Sequence, residues 1–433
     1  MTQAYIILVV EVMKSSVVDS VQRLRAEHPE LGEPHIVLLT TQPNKYSPHR
    51  QDLEVIACDF EPDTLQRIMD SLPAKVAGVV CRGDVYVQFL RKLVPYLPPD
   101  VPIASERSLR IATNKRLMRE AFAKYCPENT PQYVRIHNMD EVSQAEKLTF
   151  PIIIKPANLA SSLLIQKCDD AAQLRRALEW VFKQLPDIYR RERRTDSPEV
   201  IVEEFMHGDL YSIDSYVLQP GEVYHTPLVY YVAAQQLGID DFFLYKRTTP
   251  VDLPKEAVYL AQRTAANAIA ATGLQYTSVH TELIRLYDGS WKIIELGPRL
   301  GRFRNVMYRE AFGIDHGYND LLVHCGLTPK PTPERTRYCA AYSIYPEQQG
   351  VLRAITGIEE IESHLRNVVY TLDMHTVGAP VHYARNGGHS LYELIFTSQD
   401  KREFASDIAW FEANVHAVVE ADPTTIAIDT GKD

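Results

Sequence analysis

The sequence predicts a mixed chain: a parallel α/β unit at the N-terminus, an α+β region after it, and a smaller mixed section at the C-terminal end. Three observations carry that reading. Short β-rich runs alternate with amphipathic stretches over the first hundred residues, two β-rich runs flank Asp288-Gly289, and turn signals at Gly350, Gly378 and Gly387-Gly388 punctuate shorter elements near the end. A chain of 433 residues, 45% hydrophobic and 24% charged, has enough apolar material for two or three domains with real cores. Its formal net charge of -10 is spread as mixed acidic and basic residues, which argues against a surface that tracks nucleic-acid phosphates.

The elements follow in order. AYIILVV, PHIVLLTT, EVIACDF and AKVAGVVCRG read as strands, separated by the helical patterns SSVVDSVQRLRAEH, TLQRIMDSL and VYVQFLRKLV. The opening run lacks a basic flank, meets Glu11 early and is too short to span a bilayer, so it reads as a strand and not as a leader or anchor. The turn behind it, VEVMKSS, carries no GxGxxG, which excludes the usual dinucleotide fingerprint. Proline-containing LVPYLPPDVPIA closes this unit near residue 104, and SLRIATNKRLMREAFAKY reads as one helix carrying Lys115.

PIIIKPANLASSLLI then poses a problem, because a strand this aliphatic ends on Lys155 with a loop almost free of glycine behind it. A lysine so placed either snorkels to solvent or meets an anion. A helix is expected around Ala171 to Leu185, a solvated loop at Arg190 to Glu199, a strand at EVIVEEFM, and a long alanine-rich helix capped by Gly273. The six cysteines, Cys58, Cys81, Cys126, Cys168, Cys325 and Cys339, show neither CxxC nor structural-zinc spacing and read as reduced thiols of a cytoplasmic protein.

The strongest local signal is TSVHTELIRLYDGSWKIIELGPRLGRFR. If Asp288-Gly289 forms a two-residue turn, counting outward places Glu282 opposite Glu295 and Arg285 opposite Lys292 on the other face. Two facing carboxylates repel unless a cation lies between them, and hard oxygen ligands suit Mg²⁺. The hairpin alone fits equally well with two solvated glutamates.

The order of these motifs, from about Leu109 to Tyr308, resembles the ATP-grasp superfamily. The resemblance implies an ATP-grasp fold preceded by a Rossmann-like (pre-ATP-grasp) domain over residues 1–104. The nucleotide-binding and catalytic region would cover 105–335, with a small lid subdomain within 105–200, and a C-terminal subdomain 336–433. It makes Lys115 and Lys155 the pair that contacts ATP phosphates. Glu203, Glu204, Phe205 and Met206 would form the strand that holds adenine, with Asp209 near the ribose. Ser161 and Ser162 would supply donors from the lid loop, Glu282 and Glu295 would hold Mg²⁺ or Mn²⁺, and Arg299 would engage the activated substrate.

His280 shares a strand face with Glu282 and reads either as a base or as a packing residue; His207, Tyr211 and Asp214 stand with it. The sequence departs from the family at the glycine-poor loop, at Gly297 where many relatives have asparagine, and at Gly301-Arg302 where they have two glycines.

YCAAYSIYPEQQGVLRAITGIEEIE and the glycine turns behind it resemble the L-amino-acid ligase and carnosine-synthase-like branch. That implies a carboxylate-amine ligase working through an acyl phosphate and releasing ADP and phosphate. Its partners would be a small carboxylate and an amine, with no nucleic acid and no membrane, and a homodimer is compatible with this reading. Two alternatives stand beside it: a nucleotide-binding regulatory protein without turnover, and an enzyme that activates formate or bicarbonate.

Overall fold

The computed structural model describes residues 4–46, 53–159, 162–191 and 197–421. Four strands, β1 (Ala4–Val10), β2 (Glu33–Thr40), β3 (Leu53–Ala57) and β4 (Lys75–Val80), form an all-parallel sheet in the order β3-β2-β1-β4. The first strand is buried from Tyr5 to Val10, as expected when helices cover both faces of a parallel sheet.

A second sheet, in the order β5-β8-β6-β7, holds β5 (Tyr133–Ile136), β6 (Ile152–Pro156), β7 (Gln166–Cys168) and β8 (Val200–Glu204). All its pairings are antiparallel, and the helix Ala171–Arg191 covers it through Leu174, Leu178, Val181 and Leu185, an i, i+4 stripe. That helix runs six residues past the expected end, so Arg190 and Arg191 belong to its last turn and not to a loop. Residues 192–196 of the expected loop lie outside the described residues.

The largest sheet contains β9 (Gly208–Val217), β10 (Val223–His225), β11 (Val229–Ala233), β12 (Leu244–Thr249), β13 (Thr277–Leu286), β14 (Trp291–Gly297) and β15 (Tyr338–Ile344). It continues into the C-terminal section. After β16 (Gly350–Ile355) come β17 (Val368–Asp373), β18 (Pro380–Val381), β19 (Tyr392–Ser398) and β20 (Ala417–Ala421), and the sheet order runs β14-β13-β9-β11-β12-β15-β19-β17. Strand β15 bonds to β12, so the section after residue 336 extends the central sheet, while β18-β16-β20 forms a small sheet of its own.

The helix Lys255–Thr272 presents Ala257, Ala261, Ala265 and Ala268 to the core, and these small side chains let it lie close on β13 and β14. It ends at Gly273, whose φ of 70° is left-handed and costs glycine little. Among the described residues no helix is long and apolar enough to cross a membrane.

Two local expectations are corrected. The helix expected to carry Lys115 is broken into Glu106–Ala112 and Lys115–Tyr125, because Asn114 is an N-cap whose side chain accepts from the Leu117 amide at 3.0 Å. The hairpin turn holds three residues, not two: Leu286 bonds to Ser290 and Gly289 adopts φ 86°, a type I turn closed by a left-handed glycine. Arg285 therefore faces Trp291 and not Lys292. A bulge between Glu282 and Leu283 on β13 leaves Ile294 as the extra residue on β14 and restores the count, so Glu282 does face Glu295.

Candidate active site

One cavity of about 750 Å³ lies where the β5–β8 sheet, the central sheet, the N-terminal unit and the C-terminal section meet. Its lining includes Lys115, Lys155, Ser162, Glu204, Phe205, Met206, Asp209, His280, Glu282, Glu295 and Arg299. Of the residues singled out from sequence, Glu203, Tyr211 and Asp214 do not line it, and Ser161 lies outside the described residues.

The alternation of β8 explains Glu203. Glu204 points to the cavity while Glu203 points inward, fully buried, and accepts from Arg119 through both oxygens (2.5 and 3.1 Å) and from Lys155 Nζ at 2.8 Å. Its carboxylate is consumed by these two cations, so the expected contact with adenine is corrected for this side chain. Burial alone would raise its pKa, but Arg119 and Lys155 outweigh burial and hold it at about 2. Lys155 is thus buried because Glu203 pairs its charge from behind, while the same side chain borders the cavity.

Arg119 also donates to the carbonyls of Ile293 (3.0 Å) and Ile294 (2.5 Å), the backbone of the β14 bulge. A buried ion pair therefore satisfies the irregular backbone that sets Glu295 opposite Glu282. On the cavity side Lys115 Nζ lies 3.3 Å from Glu295 and donates to the carbonyl of Leu159 at 2.7 Å, joining the carboxylate pair to the lid loop.

Along the segment expected to hold adenine, the Glu204 amide is bonded to Gln132 and the Phe205 amide to Pro151. Met206 keeps an amide with no partner among the described residues. In the lid loop Ser162 (φ 61°) and Leu164 (φ 60°) sit in left-handed backbone without glycine, a strained arrangement held by neighbours. Ser162 Oγ donates to the carbonyl of Phe242 at 3.0 Å and Leu164 N to that of Arg385 at 2.9 Å. The Ser162 hydroxyl, expected as a phosphate donor, is already committed to Phe242.

His280 and Asp214 are direct neighbours across β13 and β9. Asp214, fully buried, accepts from His280 Nδ1 (2.5 Å), from His316 Nε2 (2.7 Å) and from the Gly301 amide (2.8 Å), and Tyr216 closes the chain on His316. Burial pulls the His280 pKa down, but Tyr231, Asp214 and Glu282 more than offset it and push it up to about 10. The imidazole is therefore a cation at neutral pH, with Nε2 3.5 Å from Glu282 Oε1.

Sequence reasoning missed three contributors. Asp84, at the carboxyl end of the N-terminal parallel sheet, holds Arg299 Nε at 2.8 Å; the mouth of parallel strands is where ligands gather in such sheets, and VCRGD stands there. Arg302, marked in the sequence only as a departure from a glycine pair, reaches Glu393, and Arg247 enters from β12 without a local signal.

The two carboxylates fit a divalent cation, since they face one another on the cavity wall beside Lys115. Among the described residues no group of three or more His, Cys, Asp and Glu side chains is set to hold a metal, so the remaining ligands would come from solvent and substrate, as Mg²⁺ accepts.

Residues 148–306 match the model of the ATP-grasp domain. The chain contains an ATP-grasp domain. The cavity also draws on residues outside the matched span, such as Asp84 and Tyr345. The chain is 25% identical over 254 residues to an alanine–anticapsin ligase of Bacillus subtilis (strain 168), covering 54% of this chain and 52% of that protein. It is 24% identical over 206 residues to a D-alanine–D-alanine ligase of Ralstonia nicotianae, covering 46% and 58%. The chain thus spans little more than half the length of these relatives. An L-amino acid ligase structure from Bacillus licheniformis superposes with a TM-score of 0.75 at 18% identity, over 97% of this chain and 99% of that one, which establishes the shared fold.

Proposed function

We propose that this protein is an ATP-dependent carboxylate-amine ligase. The observation that carries the reading is the facing pair Glu282–Glu295 on one cavity with Lys115, Lys155 and Arg299. The relatives named as alanine–anticapsin and D-alanine–D-alanine ligases support it, as does the likeness of fold to an L-amino acid ligase.

In this reading Lys115 and Lys155 bind the ATP phosphates, and the free amide of Met206 meets the adenine edge. Bound to Glu282 and Glu295, Mg²⁺ or Mn²⁺ would offset charge on the β- and γ-phosphates. A substrate carboxylate oxygen attacks the γ-phosphorus, the bond from phosphorus to the ADP oxygen breaks, and ADP leaves. The amine nitrogen then attacks the acyl carbon, the carbon–oxygen bond to phosphate breaks, the nitrogen loses a proton, and an amide and phosphate remain.

Arg299, steadied by Asp84, faces the charge that develops on the acyl oxygen. His280, of the two roles open to it from sequence, takes an electrostatic one, because an imidazole held protonated near pH 10 is a poor base at pH 7. The scattered cysteines, with neither CxxC nor structural-zinc spacing, suit a reducing compartment such as the cytoplasm.

ADP release across a matrix of amino acids and amines tests the reading. Amide product that disappears in Glu295→Ala is expected. Mg·ATP binding with no phosphate release for any pair would favour a regulatory protein, and turnover with formate or bicarbonate alone would favour a small-acid enzyme.

A further inference from the structure

The segment between β11 and β12 carries a buried carboxylate that the chemistry above leaves unused. Asp241 is fully buried and accepts from three backbone amides, those of Phe242 (2.8 Å), Ala384 (2.6 Å) and Arg385 (3.1 Å). The last two open the short helical turn Ala384–Asn386 of the C-terminal section, so Asp241 ties that section to the central sheet by satisfying the amides of a helix start. The Arg385 guanidinium reinforces the joint: it donates to the Asp240 carbonyl and lies 3.1 Å from the Asp240 carboxylate.

Two of the three residues that donate to Asp241 also hold the loop behind Lys155. The Phe242 carbonyl accepts from Ser162 Oγ at 3.0 Å, and the Arg385 carbonyl accepts from the Leu164 amide at 2.9 Å. Both anchored residues keep left-handed backbone, φ 61° and 60°, which glycine adopts freely and serine and leucine do not. The strained segment therefore hangs from two carbonyls, and one carboxylate fixes the amides of both residues that supply them. Ser162 and Leu163 line the cavity with Lys155, and so do Phe242 and Ala384.

We propose that Asp241 is a positioning residue for the nucleotide: through Phe242 and Arg385 it holds Ser162 and Leu164 in the conformation that faces the ATP phosphates. This rests on reading the cavity as the ATP site. A glycine-rich loop must be ordered when phosphate arrives; here a latch built partly from the C-terminal section, outside the matched ATP-grasp span, orders the loop beforehand.

Asp241→Asn keeps the volume and sets an NH2 group where an oxygen accepted from an amide, so at least one bond is lost and a buried donor meets another. In the full chain, calorimetry with the magnesium complex of the β,γ-imido analogue of ATP should show binding weakened by roughly 10-fold, and the ATP KM should rise alike. The KM values of the carboxylate and amine substrates should stay within about threefold. Ser162→Ala cuts one arm and should raise the ATP KM by less; the two changes together should raise it by less than the product of their separate effects. Hydrogen exchange reads the latch without any variant. In the unaltered protein, free of nucleotide, the Leu164 amide should exchange at least about 100-fold more slowly than an unstructured amide, and Asp241→Asn should remove most of that protection.

A Leu164 amide that exchanges freely in the unaltered protein overturns the proposal whatever the variants do. An ATP KM within about threefold in Asp241→Asn overturns it also, because a role in folding alone lowers kcat per mole of protein and leaves that KM where it was. A rise shared equally by all substrates counts the same way. Analogue binding that weakens in Asp241→Asn, with no amide formed from any pair, overturns the ligase reading and supports this inference. An unaltered protein that binds no ATP analogue overturns both.

Discussion

Replacing Glu203 with glutamine tests whether a buried ion pair holds the metal-binding hairpin in shape. Glu203→Gln keeps the volume and removes the charge, leaving Arg119 and Lys155, at 2% and 7% exposure, without a counter-ion. Breaking a buried pair from one side costs roughly 3–5 kcal/mol. The carboxyl gives a second route to the magnitude, since its pKa falls from 4.5 to about 2 on folding despite burial, worth about 3 kcal/mol.

The sign follows from the lowered pKa. The contribution is fully present above pH 4.5 and is lost as pH falls through about 2. Urea denaturation followed by tryptophan fluorescence suits the test, because Trp291 lies buried at the start of β14. At pH 7 the variant should be less stable by about 3 kcal/mol, and the gap should narrow between pH 4.5 and 2. The Mg·ATP KM should rise as well, because Arg119 holds the Ile293 and Ile294 carbonyls of the bulge. A loss under about 1 kcal/mol at pH 7, or a gap indifferent to pH, would refute the reasoning.

Other outcomes follow from the same site. Glu295→Gln should weaken the dependence of ADP release on Mg²⁺ and lower turnover by at least about 100-fold, read from a metal titration at fixed ATP. Gly301→Ala would set a Cβ 2.6 Å from His280 Nδ1 and 2.7 Å from Arg304 Cγ, so turnover should fall by roughly 10–100-fold with little change in the ATP KM. Asp214→Asn removes one of the groups that raise the His280 pKa to about 10, and the alkaline limb of the kcat profile should move down by a unit or more. In the unaltered protein the stability due to His280 is fully present below pH 6.5 and is lost as pH rises through about 10, so alkaline denaturation of the variant should be less steep. Ser162→Ala frees the Phe242 carbonyl and loosens the lid loop; an unchanged ATP KM and turnover would show that this anchor has no part in nucleotide binding.

Several features were legible in the chain because they depend on neighbours in sequence. Period-two alternation fixed which face of β13 His280 and Glu282 share, Gly273 ended the alanine-rich helix, and the turn near Asp288-Gly289 brought Glu282 and Glu295 together. That last expectation succeeded through two departures that cancel, a three-residue turn and a bulge at Ile294. No turn rule contains the bulge, because the Arg119 that satisfies its carbonyls comes from a helix 174 and 175 residues away in sequence. The break before Lys115 is a local feature too, because Asn114 has the side chain that a helix N-cap prefers.

The sequence by itself determined the alternation of elements, the order of the motifs and the chemical types that a phosphate and metal site requires. Only the tertiary structure decided how the charges were assigned. It turned Glu203 from the nucleotide to Arg119 and Lys155, joined Asp84 to Arg299 across 215 residues, and set Arg247 buried against aromatic rings on the cavity wall. Strand periodicity is a local property of the backbone, whereas a buried charge is settled by whichever partner folding brings within hydrogen-bond reach, and distance along the chain does not report that.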